Sequence, residues 1–150
     1  MKQLLALALA LLIVVPFSQA APTVEAIVAK DQESKPTNAF PSDVPKIYAF
    51  FRSKGTKKGD SLRAVWIADD VGDAAPKGTK IDETTITADQ DDFYGAASLS
   101  KPTKGWPIGE YHVDIYYGDQ VATTVKFTIS GDKAEKSDKK KDKDDDDDDD

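Results

Sequence analysis

The chain has 150 residues, room for one ordinary domain, and carries 20 Lys and Arg against 27 Asp and Glu for a formal net charge of −7. It contains no cysteine, which excludes a disulfide framework, a thiol nucleophile, a cysteine-based zinc site and lipid attachment at a cysteine. The charge is uneven: residues 131–150 hold 6 lysines against 11 acids, while residues 21–130 hold 13 basic against 16 acidic side chains, so the composition offers no concentrated basic face for nucleic acid.

The amino end opens with Met1-Lys2-Gln3, continues with 12 residues (4–15) made only of Leu, Ala, Ile and Val, and then reads Pro16-Phe17-Ser18-Gln19-Ala20. A basic start, a short apolar core and small residues at Ser18 and Ala20 match an export signal over 1–20, cleaved after Ala20. The alternative is a retained amino-terminal anchor. The run is short for a bilayer crossing, which takes about 20 residues, and no later run approaches that length. The mature chain is therefore expected to have no membrane span and to be periplasmic, extracellular or at the cell surface.

Beyond the leader, helical periodicity is scarce. Short alternating runs rich in Val, Ile, Thr, Tyr and Phe are separated by Gly, Pro, Asp and Lys, the pattern of strands and turns. Strands are predicted over Thr23 to Lys30, Lys46 to Ser53, Ser61 to Asp69, Lys80 to Ala88, Phe93 to Leu99, Glu110 to Tyr117 and Gln120 to Ile129. The polar connection from Lys30 to Pro45 is long for a loop and has room for an edge strand. In the last pair, Tyr111, Val113, Ile115 and Tyr117 share one face, as do Val121, Thr123, Val125, Phe127 and Ile129. Gly118-Asp119 between them suits a two-residue hairpin turn. Seven strands over residues 21–130 predict a single all-β domain, a seven-stranded antiparallel immunoglobulin-like sandwich.

The stretch "GWPIGEYHVDIYYGDQVATTVKFTI" resembles the terminal hairpin of exported bacterial immunoglobulin-like or fibronectin type III-like modules, with a Pro-x-Gly-x-Tyr lead-in, an alternating strand and a Gly/Asp turn. "FPSDVPKIYAFFR" and "GDSLRAVWIAD" are similar to earlier strands of such modules, with Trp66 where an inter-sheet Trp would sit. The resemblance covers roughly residues 40–130 and implies architecture rather than chemistry. With no cysteine pair beside it, Trp66 is expected to pack on aliphatic side chains.

Catalytic signatures are weak. His112, the single histidine, is out of phase with Tyr111 and Val113 and is expected on the solvent side; no second histidine or cysteine completes a transition-metal site. No Gly-x-Ser-x-Gly elbow is present, and "GTKKGDS" lacks the ending of a phosphate loop. The neighbours Asp82 and Glu83 alternate faces on a strand, which does not suit paired acid–base work. The clusters Asp69, Asp70, Asp73 and Asp89, Asp91, Asp92 read as turn chemistry, and the second fails as an EF-hand because Phe93 and Ser100 occupy ligand positions. One alternative is that both clusters gather at one end of the sandwich and share an ion.

The strand "KIYAFFR" is apolar on both faces, with Ile47, Ala49 and Phe51 opposed to Tyr48 and Phe50; the next strand sets Leu62, Ala64 and Trp66 against Val65 and Ile67. A two-layer sandwich buries one face of each sheet. Either the segment before Pro45 covers the second face, or an aromatic patch is open to a partner. Tyr48 and Phe50, with Tyr116, are thus the candidate partner-binding residues; Trp106 is a second candidate, or alternatively a loop anchor in the core. The chain ends in a Lys-rich stretch and then Asp144, Asp145, Asp146, Asp147, Asp148, Asp149 and Asp150, read as a disordered tail over 131–150. The expected function is an exported, non-enzymatic binding module for protein or cell-envelope material, with no cofactor. The alternative is low-affinity calcium binding through the aspartate tail and acidic loops.

Overall fold

The computed structural model describes residues 20–131; the leader up to Gln19 and the tail from Asp132, including its aspartate run, lie outside the described residues. Eight strands form two sheets. β1 (Thr23–Ala29), β3 (Lys46–Lys54) and β6 (Tyr94–Ser100) make a three-stranded sheet in the order β1-β3-β6. β2 (Ala39–Pro41), β8 (Gln120–Ser130), β7 (Gly109–Tyr117), β4 (Ser61–Asp70) and β5 (Thr79–Thr87) make a five-stranded sheet in the order β2-β8-β7-β4-β5. The expected sandwich and its seven long strands are present. The eighth is β2, an edge strand in the long connection before Pro45, and among the described strands it is the one paired in parallel, Ala39–Pro41 with Thr128–Ser130. Pro41 is tolerated there because an edge strand leaves one side of its backbone unpaired. Among the described residues, no helix is long and apolar enough to cross a membrane.

The period-2 alternation places one apolar row from each strand between the sheets. Val24 and Val28 of β1, Ile47, Ala49 and Phe51 of β3, and Ala97 and Leu99 of β6 face Leu62, Ala64 and Trp66 of β4, Val113 and Ile115 of β7, and Phe127 and Ile129 of β8. Phe127 is the centre of an aromatic group: Tyr111 stacks on it at 5.4 Å, and Phe40 and Trp66 meet it edge-on at 5.8 and 6.0 Å. Trp66 thus packs on an aromatic ring, not only on aliphatic neighbours as expected. The phase of the final strand brings Phe127 under it, and its Nε1 has no hydrogen-bond partner. Such ring pairs add about 0.5–1.5 kcal/mol each beyond area burial, and they join β2, β4, β7 and β8.

The last hairpin departs from the expected phase. Tyr117 and Gln120 close the two-residue turn, with Gly118 at φ +59°, but the register shifts between Ile115 and Tyr116. Thr123 faces Ile115 and Val121 faces Tyr116, so Ala122 is the extra residue of a bulge. Ala122 packs on the core, and Val121 is turned outward at 47% exposure.

Candidate functional site

The outer face of the three-stranded sheet is built from two rows of side chains. Ile27, Phe50 and Ala96 stand side by side across β1, β3 and β6, and Glu25, Arg52 and Tyr94 form the next row. Tyr48 follows Phe50 on the same strand face, and the two rings stack with centroids 5.6 Å apart and planes 6° apart. Lys46 Nζ lies 5.7 Å from the Tyr48 ring centroid. Ile27 is 43% and Tyr94 68% exposed, while Tyr48 and Phe50 are half-buried by one another and their neighbours. Over these rows runs an open trough of about 490 Å³, its floor made by Ile27, Phe50 and Ala96.

This face is open because the long connection goes elsewhere. After β1, the Thr37 N–H donates to the Val28 carbonyl at 3.0 Å, and the Thr128 N–H donates to the Asn38 carbonyl at 2.8 Å. The chain therefore turns from the end of β1 to the edge of the other sheet, leaving only Gln32 beside the trough. The second apolar face of β4 is not comparable: Val65 is buried, and its neighbourhood on the outer face is polar.

The four expected binding residues separate into three places. Tyr48 and Phe50 lie together on this open face. Tyr116 lies on the outer face of the opposite sheet, half-buried, with the Arg63 guanidinium 4.4 Å over its ring. Trp106 is no surface residue: it is 5% exposed, donates from Nε1 to the Val44 carbonyl at 2.6 Å and meets Tyr111 edge-on at 6.4 Å. It anchors the loop before β7 to the loop before β3. Tyr94 and Ile27 were missed, although alternation from Phe93 already puts Tyr94 on the face opposite the core. The missing information is that β6 lies beside β3, a pairing between strands some 40 residues apart. Gly95 makes that passage possible, since a Cβ there would stand 2.3 Å from Phe51 Cζ.

His112 is half-buried on the outer face of the five-stranded sheet, and in this it differs from the solvated surface histidine expected. Its Nδ1 lies 2.8 Å from Asp69 and its Nε2 3.3 Å from Asp114. Asp114, 8% exposed, also accepts from Thr124 Oγ1 at 2.5 Å. The carboxylates sit at opposite edges of the ring, so they cannot converge with it on one ion, and Nδ1 is taken by Asp69.

The acidic loops do not meet either. Ser61 pairs with Thr87 and Ala68 with Thr79, so Asp69, Asp70 and Asp73 lie at one end of the β4–β5 pair and Asp89, Asp91 and Asp92 at the other. Their oxygens organise the loops. Asp91 accepts from the Lys58 N–H and Lys57 Nζ, each at 2.9 Å, and Asp92 accepts from the Gly55 N–H at 2.7 Å. Asp70 pairs with Lys77 Nζ at 2.6 Å. No group of three or more acidic, His or Cys side chains among the described residues is arranged to hold a metal. The bond to Lys77 holds Asp70 below the usual carboxylate range, and the Lys58 N–H does the same for Asp91.

Among solved structures, an immunoglobulin-like protein from Pseudomonas aeruginosa superposes with a TM-score of 0.51 at 18% identity, over 75% of this chain and 99% of that one. The fold is an immunoglobulin-like β-sandwich. A β-glucosidase from Listeria innocua matches with a TM-score of 0.43 and 8% identity, over 76% of this chain and 17% of that one. An alkylpurine DNA glycosylase from Pseudomonas fluorescens matches with a TM-score of 0.43 and 12% identity, over 72% of this chain and 30% of that one. This immunoglobulin-like chain thus spans a minor part of either enzyme, and the likeness says nothing of their activities. No family model matches the chain, and no curated protein matches it in sequence.

Proposed function

We propose that this is an exported, non-enzymatic binding module that captures protein or cell-envelope material on the outer face of its three-stranded sheet. The observation that carries the reading is that exposed Ile27 and Tyr94 share one outer sheet face with the half-buried Tyr48–Phe50 stack. A sheet that only closes a sandwich needs one apolar face, so aromatic side chains on both faces of β3 favour a second use. Export rests on the leader sequence over 1–20. The non-enzymatic reading is supported by the bond that ties His112 Nδ1 to Asp69 and by four of the surface carboxylates. Asp31, Asp70, Glu83 and Asp91 are all shifted toward their charged forms by hydrogen bonds, first among them those from Ser34, Lys77, Lys80 and the Lys58 backbone. A general acid needs the opposite shift.

The test is capture by a cell-envelope fraction of the intact protein and of Tyr48→Ala, Phe50→Ala and Tyr116→Ala, with folding followed by circular dichroism. The first two variants are expected to remain folded and lose capture, and Tyr116→Ala to bind normally. Normal capture by both Tyr48→Ala and Phe50→Ala sinks the reading.

A further inference from the structure

Resting on that reading of the open face, we infer that the trough between Phe50 and Tyr94 is a subsite for a neutral saccharide. Three features select this class. The first is charge. The two charged side chains in the trough are Glu25 and Arg52, and they neutralise each other, with Arg52 Nε donating to Glu25 Oε2 at 2.6 Å. An anionic ligand would need an unpaired cation there, and the trough offers none among its described lining residues. The second is the mixture of surfaces. Phe50 lies across from the small Ala96, and Tyr94 stands two residues from Ala96 along β6; apolar C–H faces of a sugar ring pack on aromatic rings. The Glu25–Arg52 pair, the Gln32 amide and the Tyr94 hydroxyl line the same trough and supply acceptors and donors for hydroxyls. Arg52 has five donors and spends only part of them on Glu25, and a carboxylate beside a guanidinium can accept from one hydroxyl while the guanidinium donates to the next. A lipid chain would leave this polar row without a use.

The third feature is size. β1 and β6 are seven residues long, so the three-stranded face measures on the order of 24 by 15 Å. That is well below the roughly 800 Å² per partner of a stable protein interface. It does suit a small or thread-like ligand, and about 490 Å³ falls within the usual range of ligand sites, about 300–1,000 Å³. The area therefore disfavours a second copy of the chain or a globular partner.

Electrophoresis of the full chain through gels containing glycol chitin, hydroxyethyl cellulose or dextran tests this. At least one polysaccharide is expected to retard the protein, and the retardation should persist from about 50 to about 500 mM salt because no net charge is involved. Tyr94→Ala should weaken it about tenfold or more. Ala96→Phe, which fills the trough from an exposed position, should abolish it, and Tyr116→Ala should leave it unchanged. Absence of retardation in all three gels overturns the saccharide inference, as does retardation indifferent to both Tyr94→Ala and Ala96→Phe. The envelope-capture assay separates the two readings. Capture that depends on Phe50 while every gel is silent removes the saccharide and leaves the binding face; capture indifferent to Phe50 with silent gels removes both.

Discussion

The Tyr111 hydroxyl donates to the carbonyl of Pro107, four residues upstream, at 2.6 Å, tying the start of β7 to the loop that leads into it. Tyrosines at this corner of immunoglobulin-like sandwiches make this kind of contact. Tyr111 is buried, so Tyr111→Phe leaves a carbonyl without its donor. It should cost about 1–2 kcal/mol, read as a lowered midpoint in urea with an unchanged slope. Burial also pushes the Tyr111 hydroxyl up to about 12. An unfolded tyrosine ionises near pH 10, so the folded chain holds this proton more tightly across the interval. The associated stability is complete below about pH 10 and is lost as pH rises toward about 12. Tyr111→Phe should therefore flatten part of the alkaline decline of the melting temperature. Tyr117, raised by its hydrogen bond to Asp60, and Lys57 and Lys77, raised by their bonds to Asp91 and Asp70, keep part of that decline.

Gly109, between Pro107 and Tyr111, has φ +154° and lies against β4: an added Cβ would stand 2.1 Å from the Asp70 carbonyl oxygen. Backbone cannot step aside as a side-chain tip can, so Gly109→Ala should be among the most destabilising glycine replacements, at about 3 kcal/mol or more. Gly95→Ala meets the Phe51 and Phe93 rings instead and should cost about 1–3 kcal/mol. Thermal melts that rank Gly95→Ala above Gly109→Ala in damage would contradict this ordering.

The Pro-x-Gly-x-Tyr motif was legible as a fold signature, and the structure supplies its reasons: a carbonyl that accepts, a glycine that lets two strands touch, and a hydroxyl that donates. Strand positions were legible to within a residue or so because period-2 alternation reports burial locally. What alternation cannot report is which strands become neighbours. The adjacency of Tyr94 to Arg52, the capture of His112 by Asp69 from β4, and the opposite placement of the two aspartate loops all depend on pairings across long stretches of chain. β2 escaped because three residues are too few to show a period, and the β8 bulge because one inserted residue inverts the phase beyond it.

His112 and Thr124 are the two side chains that meet the nearly buried Asp114 carboxylate. His112→Ala should leave this carboxylate with Thr124 alone and cost about 1–3 kcal/mol, with Thr124→Val costing somewhat less. A double-mutant cycle in urea is expected to give a non-additive result, since both partners serve one acceptor. Strict additivity would show that the contacts are independent.

Asp70, Asp91 and Asp92 of the described loops are engaged with backbone N–H groups and lysines, and Asp69 with His112, so calcium is expected to find its ligands in Asp144–Asp150. Calorimetric titration with calcium is expected to show at most millimolar-range heats, eliminated when those seven residues are replaced by asparagine. Persistence of the heats in the asparagine variant would place the site outside Asp144–Asp150.

Phe50 and Phe51 are chain neighbours with opposite assignments. Phe51 points between the sheets at 3% exposure and meets Phe93 at 6.1 Å, whereas Phe50 stands on the outer face against Tyr48. Truncating Phe51 opens a cavity in the core and should cost about 3–5 kcal/mol. Truncating Phe50 removes partial burial and one ring stack, for about 1 kcal/mol. Chemical denaturation of the two variants measures the contrast directly. If Phe50→Ala proves as damaging as Phe51→Ala, the ring is a structural support, and its loss could not be read as loss of a binding contact. A small cost for Phe50→Ala together with lost envelope capture assigns the ring to the partner.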